Sequence, residues 1–169
     1  RILPFALLTG TFEEKCQRAA EYGADGLELI TTDPDLLEEA AISSALTRSH
    51  LFPAAISSGG MASTKGLTLM NPDPGVAQAA YHRLERLIAF AGTIGSPVVT
   101  IGSFRGRMNA ENGMTPTQFA ELLNKAGGYA QGYAVRVAIE PLNRYETDFI
   151  FNTRQGLEFL NQVDHPSVG

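Results

Sequence analysis

Ala134-Val135-Arg136-Val137-Ala138-Ile139-Glu140-Pro141-Leu142-Asn143-Arg144-Tyr145-Glu146 is a short apolar run that ends in a carboxylate and passes directly into a dense polar loop. With side chains alternating at period two, Val135, Val137 and Ile139 share one face of a strand, and Arg136, Ala138 and Glu140 share the other. Pro141 has no N–H to give to a ladder, so the strand stops there and leaves Glu140 at its carboxyl end. A branched, nearly continuous run of this kind suits a covered parallel strand, and in α/β proteins ligands bind at the carboxyl ends of such strands. Glu140 is therefore the first candidate for chemistry.

Working outward, the same alternation of strand and helix recurs along the chain. Residues 2–8 read as a first buried strand, followed by a Thr9-Gly10 turn. Thr11 with Glu14 three positions on is a capping-box signature for a helix to about Tyr22, stopped by Gly23. Residues 26–30 form a second strand, with Leu27 and Leu29 on one face and Glu28 on the other. Asp33-Pro34 opens a helix through about Arg48, with Leu36, Leu37, Ala40 and Ala41 facing the core. Residues 51–57 form a third strand in which Pro53 belongs near the start or at a bulge. Residues 58–71 show no period and read as a long connection, a class that is usually functional in compact domains.

Asp73 as cap and Pro74 at the first helical position begin the clearest helix, whose apolar stripe is Ala80, Leu84, Leu87, Ile88 and Ala91 and which Gly95 ends. His82, Arg83, Glu85 and Arg86 fall on its watery side. Residues 97–101 form a fourth strand that opens into Gly102-Ser103-Phe104-Arg105-Gly106-Arg107. There glycines permit close backbone approach and the arginines could hold an anion, although the spacing is not that of a phosphate-binding fingerprint. Thr115-Pro116 caps a helix to about Gln131, weakened by Gly127 and Gly128 and frayed at its end. Thr153 caps a last helix through about Val163, and His165-Pro166 turns the chain toward a sixth strand at Val168.

Strands alternating with helices, with no hairpin signal, indicate a parallel α/β sheet with crossover connections, either open and doubly wound or closed as a barrel. A complete (β/α)8 TIM barrel needs about 250 residues, so 169 residues would supply about the first five βα units of a single, partial domain spanning 1–169. Arg1 in place of a start methionine, with an apolar run from Ile2, suggests a chain that is cut into. Exposed strand edges in such a half-barrel call for a partner copy or for further chain.

Composition narrows the partners. A formal net charge of −5 with no Lys/Arg run offers no electrostatic footprint for nucleic acid. No apolar stretch reaches the ~20 residues of a membrane span. Cys16 is the only cysteine and lies on a helix, so no internal disulfide forms, and a reducing, cytoplasmic setting with Cys16 as a buried thiol is the simplest expectation.

The run Ile139-Glu140-Pro141-Leu142-Asn143-Arg144-Tyr145-Glu146, followed by Asn152-Thr153, closely resembles the fifth-strand motif of the sugar isomerase and epimerase superfamily with a xylose-isomerase-like barrel. The nearest likeness is to tagatose- and psicose-type ketose 3-epimerases. Gly23-Ala24-Asp25-Gly26-Leu27-Glu28-Leu29 and Val99-Thr100-Ile101-Gly102-Ser103 add weaker support. The resemblance implies that Glu140 binds a divalent metal (Mn²⁺, Mg²⁺ or Co²⁺) and serves as one of two acid/base glutamates. It implies that Glu146 holds a hydroxyl of a small sugar substrate, with Asn143 and Arg144 beside it, and that the other metal ligands, an Asp, a His and a Glu, come from later strands. Glu28 projects inward near the active face as a hydrogen-bonding partner for substrate or for Arg144.

The histidines agree with this division. His50 and His165 precede strands and so fall at the opposite, amino-end face. Other reactions on the same barrel, such as hydroxypyruvate isomerisation or inosose dehydration, remain open, as does a non-catalytic fragment or sugar-binding module. Phosphodiester cleavage of the apurinic endonuclease type would need several histidine ligands and a basic groove, and neither is visible.

Overall fold

A computed structural model describes residues 8–108 and 114–169. The first strand expected from the sequence, 2–8, lies almost wholly outside the described residues. Four parallel strands follow: β1 (Gly26–Ile30), β2 (Phe52–Ser57), β3 (Val98–Ile101) and β4 (Arg136–Ile139), hydrogen-bonded in sequence order. An open doubly wound sheet reverses its order at a switch point; a sheet that adds each strand beside the last is the winding of a barrel. Val168 continues the series with a parallel bridge to Val137.

Register fixes which side chains share a face. Leu29, Ile56, Val99 and Val137 pair in one row, and all four are buried beneath the helices. Burial of such aliphatic side chains contributes roughly 1.5–3 kcal/mol each and is the main reason the sheet holds. On the opposite face Ile30, Ser57, Thr100 and Ala138 form a layer. Glu28 lies two residues before that layer and Glu140 two residues beyond it, so both face the barrel interior at different depths. The register shift between Leu27 and Glu28 falls opposite Pro53, where a residue lacking an N–H needs an irregular ladder.

The helices obey their local signals at most ends. α1 (Phe12–Glu21) starts with a complete Thr11–Glu14 capping box and buries Cys16. α4 (Pro74–Ile94) has Asp73 accepting from the Gly75 and Val76 amides and buries the whole predicted stripe, while His82 stays on the surface beside Glu85. α5 (Pro116–Gln131) is capped reciprocally by Thr115 and Gln118.

Other expectations fail for tertiary reasons. The helix expected over 33–48 is a 3-10 turn (Pro34–Leu36) and a separate α2 (Glu39–Arg48), broken at an extended Leu37 that packs on the core. Its buried residues are Ile42, Ala45 and Leu46, whereas Leu36 is 67% exposed. The stretch expected to be a structureless loop contains α3 (Gly59–Lys65), which local propensity does not favour. It is held by fully buried Met61, by the Thr64 hydroxyl donating to the Gly60 carbonyl at 2.7 Å, by the Lys65–Asp33 ion pair, and by Gly66 as a left-handed cap. α5 runs unbroken through Gly127 and Gly128 to Gln131, as expected. A Cβ on Gly127 would come within 2.6 Å of His165 Nδ1, so the glycine admits the packed His165 ring. α6 (Thr153–Leu160) is capped by Asn152, not Thr153, and stops before Val163. Among the described residues no helix is long and apolar enough to cross a membrane.

Candidate active site

Glu140 follows the last residue of β4, and its amide still donates to the Ile101 carbonyl at 3.1 Å, so the ladder carries it to the rim of the sheet. Its side chain opens into a cleft of about 660 Å³ lined by Ile30, Ser57, Gly59, Gly60, Ser63, Gly102, Ser103, Glu140, Leu142 and Glu146. These residues come from the carboxyl ends of β1–β4 and the segments after them. The cleft therefore lies at the face where barrel sites are built.

The Glu140 carboxyl group occupies space that a side chain at residue 102 would fill. A Cβ built on Gly102 would lie 2.4 Å from Glu140 Oε2. Although the residue is exposed toward the cleft, its carboxyl is held above the usual carboxylate range. Partial desolvation against the strand ends is the largest cause, the negative charge of Glu28 adds to it, the Arg105 guanidinium opposes it, and Glu146 adds a smaller push upward.

The loop 141–150 that follows is folded on itself. The Asn143 side chain accepts from the Tyr145 amide at 2.9 Å and its carbonyl accepts from the Glu146 and Thr147 amides, so Asn143 shapes the turn that presents Glu146. Thr147 is buried and exchanges hydrogen bonds with Phe149. Glu146 lines the main cleft and also an adjoining hollow of about 360 Å³ that shares Ser103 with it. Arg144 and Tyr145 are exposed on the turn, and neither Arg144 nor Asn143 lines the cleft. Of the two partners expected for Glu28, Arg144 forms no ion pair with it among the described residues.

Arg105 corrects one sequence expectation. Its guanidinium does not wait for an anion: the side chain is completely buried, and its terminal nitrogens donate to five backbone carbonyls. Burial pulls its proton affinity down while Glu140 and Asp148 hold it up. Arg107 donates to the Tyr145 carbonyl at 2.8 Å. Sequence reasoning also missed Ser57, Gly59, Gly60 and Ser63 as cleft residues. Ser57 was legible as the last inward residue of β2. The Gly59–Ser63 segment was not, because it reaches the cleft only once α3 forms.

Among the described residues no group of three or more His, Cys, Asp or Glu is placed to hold a metal ion. The Glu140 carboxylate, open to the cleft, suits a hard divalent cation as one oxygen donor and supplies no more than that.

The comparisons with known proteins agree with this architecture. A family model described as xylose isomerase-like TIM barrel matches residues 16–169. The ketose 3-epimerase of Arthrobacter globiformis is 27% identical over 161 residues, covering 90% of this chain and 53% of that protein. The L-ribulose 3-epimerase of Methylomonas sp. (strain DH-1) is 25% identical over 156 residues, covering 89% and 52%. The crystal structure of D-allulose 3-epimerase from Methylomonas sp. superposes with a TM-score of 0.76 at 20% identity over 93% of this chain and 55% of that one, which speaks to the fold alone. The chain spans about half the length of the curated relatives it matches. With the sheet order and a family model over residues 16–169 in agreement, the chain belongs to the xylose isomerase-like TIM barrels.

Proposed function

We propose that this chain carries part of the active face of a divalent-metal-dependent sugar epimerase or isomerase acting on a ketose, with Glu140 as metal ligand and acid/base group. The observation that carries the reading is the Glu140 carboxyl group at the end of β4, open to the cleft and with its proton affinity raised by its surroundings. A carboxylate shifted upward is a better proton acceptor near neutral pH than an ordinary one. The 3-epimerase names of the two curated relatives support the substrate class.

The reaction inverts or moves a centre next to a carbonyl. Glu140 takes the proton from that carbon, and a second group on the opposite side returns one. Glu146, presented by the Asn143 turn along the same cleft, hydrogen-bonds a substrate hydroxyl and fixes which carbon faces Glu140. Glu28, deeper on the inner face and outside the cleft lining, adds its charge to the desolvation that keeps the Glu140 proton affinity high and is held in reserve as a hydrogen-bonding partner for substrate. A bound Mn²⁺, Mg²⁺ or Co²⁺ would supply polarisation of the carbonyl and its neighbouring hydroxyl. Glu140 is the residue here that would hold it.

In the intact enzyme, Glu140→Gln should abolish exchange of the substrate's abstracted proton with solvent deuterium while circular dichroism and melting temperature stay close to wild type. Undiminished exchange would remove Glu140 from the chemistry.

A further inference from the structure

The most unusual side chain in the molecule lies under the site. Arg105 ends the 3-10 turn Ser103–Arg105 after β3, is 0% exposed, and makes no ion pair with a carboxylate among the described residues. A buried guanidinium must find acceptors for its N–H groups, and here main-chain carbonyls serve both terminal nitrogens while Nε is buried without a partner among the described residues. Nη1 donates to Glu140 at 2.7 Å, Gly102 at 3.1 Å and Ile101 at 3.4 Å; Nη2 donates to Phe149 at 3.0 Å and Ile150 at 3.2 Å. One planar fork thus ties the end of β3, the residue that bears the candidate base, and the far end of the loop that bears Glu146.

The loop has a reason to need tying. Ile150 adopts φ 63°, a left-handed conformation that a β-branched residue strongly disfavours. It is kept there by the two hydrogen bonds its carbonyl accepts, from Arg105 Nη2 and from the Leu142 amide at 3.2 Å, and by burial of its side chain. Strained residues persist where surrounding structure over-determines them, commonly beside functional sites.

We infer that Arg105 is a positioning residue for the active face: by bridging the carbonyl of Glu140 to those of Phe149 and Ile150, it closes the loop 141–150 and holds Glu140 and Glu146 at a fixed separation across the cleft. The role of that separation in catalysis rests on the epimerase or isomerase reading above; the closure of the loop does not.

The test uses Arg105→Lys in the intact protein. Lysine keeps the charge and most of the stem but presents one compact donor group, which cannot span both sets of carbonyls. Two quantities are read at a temperature where circular dichroism shows the variant fully folded. Amide hydrogen exchange in 141–150 should rise at least tenfold while α4 is unchanged, and kcat should fall about 100-fold, the loss expected for a misplacement near 1 Å. A merely stabilising arginine would lower the melting temperature and leave kcat of the folded enzyme alone, and that result overturns the inference. Unchanged loop exchange overturns it too.

If Arg105→Lys does not fold, Thr147→Val removes the hydroxyl that shapes the Phe149 corner without touching Arg105, and should raise loop exchange and lower kcat in the same direction. Should wild-type protein fail to epimerise or isomerise any ketose, the functional reading falls by itself. Loop exchange in Arg105→Lys still decides whether the arginine closes the loop.

Discussion

Gly102→Ala tests the geometry of the site with the least disturbance to the fold. A Cβ on residue 102 would sit 2.4 Å from Glu140 Oε2, with the Glu140 carboxyl carbon at 3.4 Å and a Leu142 methyl at 3.6 Å. Only the first contact is too close. Ordinary C···O approach is about 3.3 Å, so the carboxylate oxygen must retreat by about 0.9 Å. The obstructing atom is the free end of a flexible side chain, and the move costs about 0.5–1.5 kcal/mol if the rotamer is pushed off its minimum. Stability should therefore fall by no more than about 2 kcal/mol. A carboxylate displaced by nearly 1 Å from a reacting carbon should slow proton abstraction about 100-fold. Steady-state turnover of a ketose and solvent deuterium uptake into it, measured beside urea unfolding, separate the two effects. Turnover within threefold of wild type would refute the placement of the Glu140 carboxylate against Gly102, and so would a destabilisation above about 3 kcal/mol, which would mean that backbone and not a mobile carboxylate is in the way.

Two further outcomes follow from the same structure. Glu146→Ala should weaken ketose binding more than metal binding in calorimetry, by about tenfold for one lost hydrogen bond to a charged group; the reverse order would cancel the role given to Glu146. Asp33 is nearly buried and pairs with Lys65 and Arg83, and the hydrogen bond from Lys65 is the main cause of a carboxyl held below its usual range. Because its folded value is depressed, its stabilisation is present above the unfolded value near about 3.9 and is lost as pH falls through the folded one. Asp33→Asn should therefore cost about 2 kcal/mol at pH 7, a figure discounted because Lys65 is 41% exposed, and the gap should close as pH falls through the depressed folded value. A difference in melting temperature that persists unchanged into acid would show that the pair contributes through shape alone.

Local rules reach a few residues along the chain, and what they reach was legible without coordinates. Alternation with Pro141 behind it puts Glu140 at the end of a covered strand. The Thr11–Glu14 box, Asp73-Pro74 and Thr115-Pro116 each mark a helix start because the groups they satisfy lie within three residues. The stripe of α4 was correct because a long helix against a sheet must bury one face.

What the chain kept hidden depends on partners far away in sequence. Arg105 finds three of its five acceptors 35, 44 and 45 residues on, so the nearby sequence does not distinguish a buried clamp from an anion site. α3 forms against its own propensity because Asp33, 32 residues earlier, holds its last turn. Gly102 looks like a loop glycine until the Glu140 carboxylate fills the space beside it. Asn143, read as a substrate contact, also uses its side-chain oxygen to accept from the Tyr145 amide within the turn. Periodicity and caps thus determined the parallel α/β class and the position of its one candidate base. Tertiary structure alone decided strand order, the shape of the cleft and the fate of each polar side chain around it, because those are set by the nearest partner in space, not by the nearest in the chain.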